Sequence, residues 1–240
     1  MTTLPARLKR AASRLLRTPQ AFSSEEAAYR RLAAKGWRPC GILDVGAYEG
    51  GWTRMVRGIF PGVPVLMVEA QKAKAAGLEA LCSELGGVSL ASAMLGAEAG
   101  QEVTFYEMET GSSYFPERSN APRTATTYVT RTLDDVASSF EGPLFLKVDV
   151  QGAELEVLAG GPDTLKRSEV VQLEVPFVSY NEGAPALLDV MRFMDEHDLI
   201  PIDVSGFSRP NGVDLVQADF LFVRRNSPLR PDFIRFEQFA

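Results

Sequence analysis

From residue 41 onward the chain alternates short runs of β-branched and apolar residues with longer stretches of helical spacing, and this rhythm restricts the available folds more than any other feature. The β-rich runs are 41–45, 65–69, 88–91, 144–149, 170–175, 199–204 and 218–223; helices are expected over 50–60, 72–85, 153–158 and 186–197. Strands separated by helices imply crossover connections, hence a parallel sheet with helices on both faces. Only a short loop with Gly206, Pro210 and Gly212 separates the last two runs. That is too short for a crossover, so the final strand should run antiparallel to the others. Residues 102–107 and 126–130 read as a strand pair around a Gly/Ser/Pro-rich excursion. The expected fold class is α/β, with seven strands and an antiparallel last strand.

Before the first strand, Ser23 and Glu26 match the capping-box spacing and Gly36 is a natural helix stop. Residues 1–36 therefore read as a helical arm and 37–240 as the domain proper. Arg7, Lys9, Arg10, Arg14 and Arg17 lie in the first 22 residues without an acidic partner, among leucines and alanines at roughly helical spacing. That segment reads as a terminal helix that packs on the body or mediates self-association, with weak contact to an anionic membrane surface as the alternative. The whole chain carries 31 acidic against 25 basic residues, a formal charge of −6, which speaks against nucleic acid as a partner. The two cysteines, Cys40 and Cys82, do not suffice for a disulfide framework or a zinc site, so a cytoplasmic setting is expected. No run approaches the roughly 18 apolar residues of a membrane span.

The first strand ends in Asp44-Val45-Gly46-Ala47-Tyr48-Glu49-Gly50, a glycine turn opening into a helix at the carboxyl end of the strand, where doubly wound sheets bind ligands. Tyr48 occupies the second glycine position of the dinucleotide fingerprint, where a side chain keeps a pyrophosphate off the backbone. A nicotinamide-dependent oxidoreductase is disfavoured on that ground. The turn resembles instead the D-x-G-x-x-x-G turn of class I S-adenosylmethionine-dependent methyltransferases. Glu69 ends the next strand, where an acidic side chain can accept both hydroxyls of a ribose.

The most specific stretch is Leu146-Lys147-Val148-Asp149-Val150-Gln151-Gly152-Ala153-Glu154, continuing through Leu158 to Gly160. It resembles the signature of FkbM-type methyltransferases. Residues 132–135, 172–175 and 219–223 add to the likeness, which spans roughly 41–224 and excludes the first 22 residues. The resemblance implies a Rossmann-like class I methyltransferase fold, S-adenosyl-L-methionine as cofactor, and O-methylation of a sugar, glycoside or natural-product hydroxyl. The expected cofactor contacts are Asp44, Gly46, Ala47, Tyr48 and Gly50 in the turn, Glu69 and Ala70, Ser92 and Ala93 after the third strand, Ser112 and Ser113 in the excursion, and Asp149. A non-catalytic module that keeps the fold and binds a partner through its basic arm is a third reading, against which the turn, Glu69 and Asp149 retain suitable chemistry.

An alcohol acceptor must lose its proton, so a general base is needed. The single histidine, His197, falls at the wrong end of its helix for the ligand crevice. Asp149 and Glu174 end neighbouring strands on the ligand side, Asp219 reaches the same rim if the last strand is inserted antiparallel, and Glu154 opens the following helix. Asp149, Glu174 and Glu154 are the catalytic candidates. The carboxylate cluster could instead hold Mg²⁺; a metal-free base is preferred. Lys147 reads as a strand-end partner for a carboxylate. The excursion 111–116 is expected to roof the site, with Tyr114 and Phe115 placed to stack on a sugar ring, and Tyr180 to hydrogen-bond in the acceptor pocket.

Overall fold

The structure, a computed structural model, describes residues 25–108, 111–116, 122–178 and 181–231. The basic segment 1–22, the Ser23 cap and Tyr180 lie outside them.

Seven strands form one sheet in the order β3-β2-β1-β7-β8-β10-β9. They are β1 (Gly41–Val45), β2 (Val65–Glu69), β3 (Val88–Ser92), β7 (Leu144–Val148), β8 (Ser168–Pro176), β9 (Leu199–Ser208) and β10 (Gln217–Arg224). The β2–β1, β1–β7, β7–β8 and β2–β3 pairs are parallel, while β10 runs antiparallel between β8 and β9. A hairpin inserts β10 into the sheet, as the short connection requires. Between β3 and β7, β5 (Glu102–Glu107) pairs antiparallel with β6 (Thr124–Arg131), and the two-residue β4 (Met94–Leu95) pairs parallel with β6.

Helices cover both faces. One core contains Leu43, Leu146, Val171 and Phe222 from the strands and Leu133, Val157, Leu165, Val190 and Met194 from α4 (Leu133–Val136), α5 (Glu154–Ala159), α6 (Pro162–Arg167) and α7 (Leu187–Glu196). The short α4 and α6 were not expected from the sequence. Thr132 caps α4 by accepting the Asp135 N–H, and Asp134 accepts the N–H groups of Asp163 and Thr164 at the start of α6. Such side-chain acceptors satisfy the donors a helix start leaves open.

The opposite core joins Ile42, Met67, Phe145, Val170 and Leu221 to α1 (Glu25–Ala34), α2 (Gly51–Ile59) and α3 (Ala75–Leu85). Ala28, Tyr29 and Leu32 of α1 are buried in it, and Tyr29 meets Trp52 and Phe145 edge to face. This face also carries a polar row. Asp44 pairs across to Lys147 and Lys147 to Gln172, so the three side chains point the same way from adjacent strands. Trp52 Nε1 donates to the Tyr29 hydroxyl at 2.9 Å, and Gln172 Nε2 donates to Glu25 at 2.6 Å. Burial, with the Glu25 carboxylate second, raises the Tyr29 phenol well above its ordinary value. No helix among the described residues is long and apolar enough to cross a membrane.

Candidate active site

The turns after β1 and β7 meet at the carboxyl edge of the sheet, where adjacent parallel strands deliver both. Gly46 has φ +78°, and a Cβ there would lie 1.8 Å from the Asp149 carbonyl oxygen. Only glycine lets these two backbones approach so closely. Two non-glycine residues also adopt left-handed backbone here, Tyr48 (φ +51°) and Gln151 (φ +56°). Such conformations are held by their surroundings and tend to cluster at ligand sites.

Asp44 is wholly buried beneath the first turn, accepting from Thr53 Oγ1 at 2.6 Å and facing Lys147 Nζ at 3.2 Å. Lys147 also lies 3.3 Å from the Gly46 carbonyl and 3.4 Å from Asp149 Oδ2. Burial opposes its charge, but the Asp44 and Asp149 carboxylates outweigh that and hold the ammonium above its ordinary value. Lys147 is thus the strand-end ion-pair partner that its position in β7 suggests.

Glu69 points back over the β1 turn. Its carboxylate accepts the N–H of Tyr48 at 2.7 Å and of Gln71 at 2.8 Å, and burial raises its pKa against the lowering effect of these bonds. Glu154 does the same for the β7 turn, accepting the N–H groups of Val150 and Gly152 at 3.0–3.1 Å. Burial pushes it up to about 7.

Between these turns lies a cavity of about 370 Å³. Gly46, Tyr48, Glu69, Ala70 and Gln71 form one wall; Ala93, Met94, Leu95, Phe105 and Val157 form an apolar one. Ser112 and Tyr114 come from the excursion, and Asp149, Gln151, Glu174 and Gln217 occupy the remaining side. Of the residues expected at the site, the cavity brings together Gly46, Tyr48, Glu69, Ala70, Ala93, Ser112, Asp149 and Glu174. Asp44, Ala47, Gly50, Ser92, Ser113 and Glu154 do not line it, and Ser92 is exposed at the end of β3. Asp44 and Glu154 support the two turns from below, Gly50 begins α2 with φ +75°, and Ser113 Oγ donates to the Gln151 carbonyl at 2.6 Å. Phe115 lines a second, neighbouring cavity, to which Tyr114 also contributes. Among the described residues the buried Tyr114 hydroxyl meets no hydrogen-bond partner, and burial, with the Glu156 charge behind it, raises its pKa.

Gln71, Phe105, Gln151 and Gln217 are cavity residues that sequence reasoning missed. Gln151 lies inside the quoted signature, but its role depends on a left-handed backbone that no local pattern announces. Gln217 begins β10 one residue before the apolar run. Register sets Asp219 directly opposite Glu174. Burial, then the charges of Glu25 and Asp149, push Asp219 up to about 7. His197 caps the far end of α7, stacked on Phe193 with Nδ1 2.7 Å from the Phe193 carbonyl. Among the described residues, no group of three His, Cys, Asp or Glu side chains is placed to hold a metal ion.

Among solved structures, the fold is similar to cofactor-bound Rv0187 from MTB, with TM-score 0.50 and 16% identity over 92% of this chain and 89% of that one. Magnesium protoporphyrin IX methyltransferase (ChlM) from Synechocystis PCC 6803, with bound SAM, gives 0.48 and 9% over 93% and 86%. EvdMO1 gives 0.47 and 14% over 91% of this chain, which spans about half of that one (47%). No curated protein matches the sequence. The methyltransferase FkbM domain matches residues 44–200, more than half of the chain. That span holds both glycine turns, Glu69, Asp149 and Glu174, and the chain belongs to the FkbM family of S-adenosylmethionine-dependent methyltransferases.

Proposed function

We propose that the protein is an O-methyltransferase acting on a hydroxyl of a small molecule, a sugar, glycoside or other natural-product metabolite. The observation that carries this reading is the pairing of unlike ends in one cavity: Glu69 beside an apolar wall at one end, and Asp149 with Glu174 at the other. The donor set fits the cofactor. Glu69 would hold the ribose hydroxyls, and Ala93, Met94, Leu95, Phe105 and Val157 would enclose the base. Gly46, Tyr48 and Ser112 would face the amino-acid end. When bound, S-adenosylmethionine supplies an electrophilic methyl group on a sulfonium.

The chain itself must orient the acceptor and take its proton. Asp149 is the base: its side chain keeps 35% of its exposure and opens on the cavity, while Lys147 steadies Oδ2 from behind. Glu174 adds a second carboxylate for the acceptor's remaining hydroxyls. Asp219, held up near neutrality, is a protonated donor on the same rim below about pH 7. The free thiols Cys40 and Cys82 are in keeping with a reducing, cytoplasmic setting. A weak membrane-surface or self-association contact is assigned to the basic residues before position 18.

The test is a panel of glycosides and polyhydroxylated metabolites incubated with protein and S-adenosylmethionine, read by mass for the gain of one CH₂. Asp149→Asn should lower turnover by roughly 10²-fold or more while leaving cofactor affinity near wild type. An unaffected rate removes Asp149 from the base role; calorimetric binding of NAD in place of S-adenosylmethionine sinks the reading altogether.

A further inference from the structure

We propose that Gln151 is a positioning residue, a neutral amide clamp that holds the carboxylates of Asp149 and Glu174 together as one proton-accepting pair. The proposal rests on the reading of those two carboxylates given above. The Gln151 Nε2 lies 3.0 Å from Asp149 Oδ1 and 3.0 Å from Glu174 Oε1. A side-chain amide has two N–H donors on one nitrogen, so each carboxylate receives one. The other Glu174 oxygen accepts from Gln217 Nε2, and the other Asp149 oxygen faces Lys147.

The backbone of Gln151 is fixed independently of its side chain. Ser113 Oγ and Asn181 Nδ2 both donate to its carbonyl, at 2.6 and 2.7 Å, from two different loops. Glu154 holds the N–H groups on either side, at Val150 and Gly152. The left-handed conformation is thus anchored from three directions, and what this leaves free is one amide aimed between two carboxylates. A cavity wall with no mechanistic duty would not need that strained backbone at a non-glycine residue.

The choice of amide has chemical content. Two carboxylates brought to one donor repel each other, and an unbridged pair resists losing its second proton. A lysine or arginine at this place would cancel the repulsion but would also weaken both carboxylates as bases. A neutral donor ties them with less loss of basicity. The charged groups around the pair are Lys147 on β7, Asp219 on β10, Glu154 on α5 and Glu25 on α1, the last acting on both Asp219 and Lys147.

Carboxyl ¹³C titration of the full-length protein, with S-adenosylhomocysteine affinity by calorimetry as the check on folding, tests the clamp without a known acceptor. In Gln151→Met the chain length is kept and the donors are lost. One member of the Asp149/Glu174 pair should then bind its proton about tenfold more tightly, roughly one pH unit higher. Gln151→Glu can bridge only when protonated, so it should add a carboxyl that titrates together with the pair. Unchanged Asp149 and Glu174 titrations in a Gln151→Met protein that still binds S-adenosylhomocysteine would overturn the proposal. If that variant does not bind, the Gln151→Glu titration decides: independent ionisation of the three carboxyls overturns it equally. Failure of the wild type to methylate any hydroxyl is a separate outcome, which rejects the acceptor chemistry and leaves these titrations standing.

Discussion

Asp219→Asn should make the protein more stable than wild type at neutral and alkaline pH, by an amount that grows with pH up to about pH 8 and is constant beyond it. Asp219 lies across from Glu174 on β10, its carboxyl packed over Gly206, where even a Cβ would come within 2.3 Å of Oδ2. Burial, then the charges of Glu25 and Asp149, lift its pKa to about 7 in the folded chain against an ordinary 3.8. A folded-state pKa raised in this way adds stability that is complete below the unfolded value and is lost as pH climbs through the folded one. Each pH unit over which the unfolded chain has released this proton and the folded chain has kept it costs about 1.4 kcal/mol. Between about pH 5 and pH 7 there are two such units, so wild type should lose roughly 2–3 kcal/mol more than the asparagine variant, and nothing further above about pH 8. Urea unfolding of both proteins at several pH values across this range measures the difference directly, and subtraction removes every carboxyl the two share. Parallel stability curves for wild type and variant would refute the reasoning, because they would mean that Asp219 ionises in the folded protein as easily as in the unfolded one.

Other substitutions probe the two turns and what lies beneath them. Glu69→Ala removes the acceptor of the Tyr48 and Gln71 N–H groups and should weaken S-adenosylmethionine binding by roughly 1–3 kcal/mol in calorimetry. Gly46→Ala places a methyl group on the Asp149 carbonyl at a left-handed position, so a loss of about 3 kcal/mol or more, or no folded protein at all, is expected in thermal unfolding. Lys147→Met strands Asp44 in the core with Thr53 as its remaining side-chain partner and should cost about 3–5 kcal/mol, whereas Asp44→Asn combined with Lys147→Met should recover a large part of it. Strictly additive losses in that double variant would mean that the pair does not act as a pair.

The strands, their alternation with helices, the antiparallel last strand and the two glycine turns were legible because each is a local pattern. Alternation has a period, a short loop forbids a crossover, and glycine marks a conformation other residues avoid. Short capped helices such as α4 and α6 were not, since four to six residues show too little of a helical period, and the Asp134 cap of α6 is a contact between residues 29 and 30 positions apart. The same distinction runs through the site. Glu69 and Asp149 reach the cavity because they end strands, which sequence position shows. Asp44 and Glu154 are as acidic and stand as close in sequence to the turns, yet they support the wall from behind; only the packed structure separates the two roles.

The polar row on the α1 face extends that reasoning to energetics. Asp44 and Lys147 each interrupt an otherwise apolar strand, Gln172 is buried in β8, and each of the three alone would be a costly polar group in a core. Register aligns them on adjacent strands, and α1 and α2 supply Glu25, Tyr29, Trp52 and Thr53 to complete the bonding. The row also runs toward the rim, ending at Asp149, Glu174 and Asp219. A helix laid on the sheet solely to cover apolar surface would have no use for Tyr29 and Glu25 at these places. Their presence ties the seating of α1 to the charge balance beneath the acceptor end of the cavity, because Glu25 acts on Asp219 and on Lys147 alike. The core of this face and the chemistry at its edge are therefore one electrostatic system, and a change at Glu25 should be read at the rim before it is read in stability.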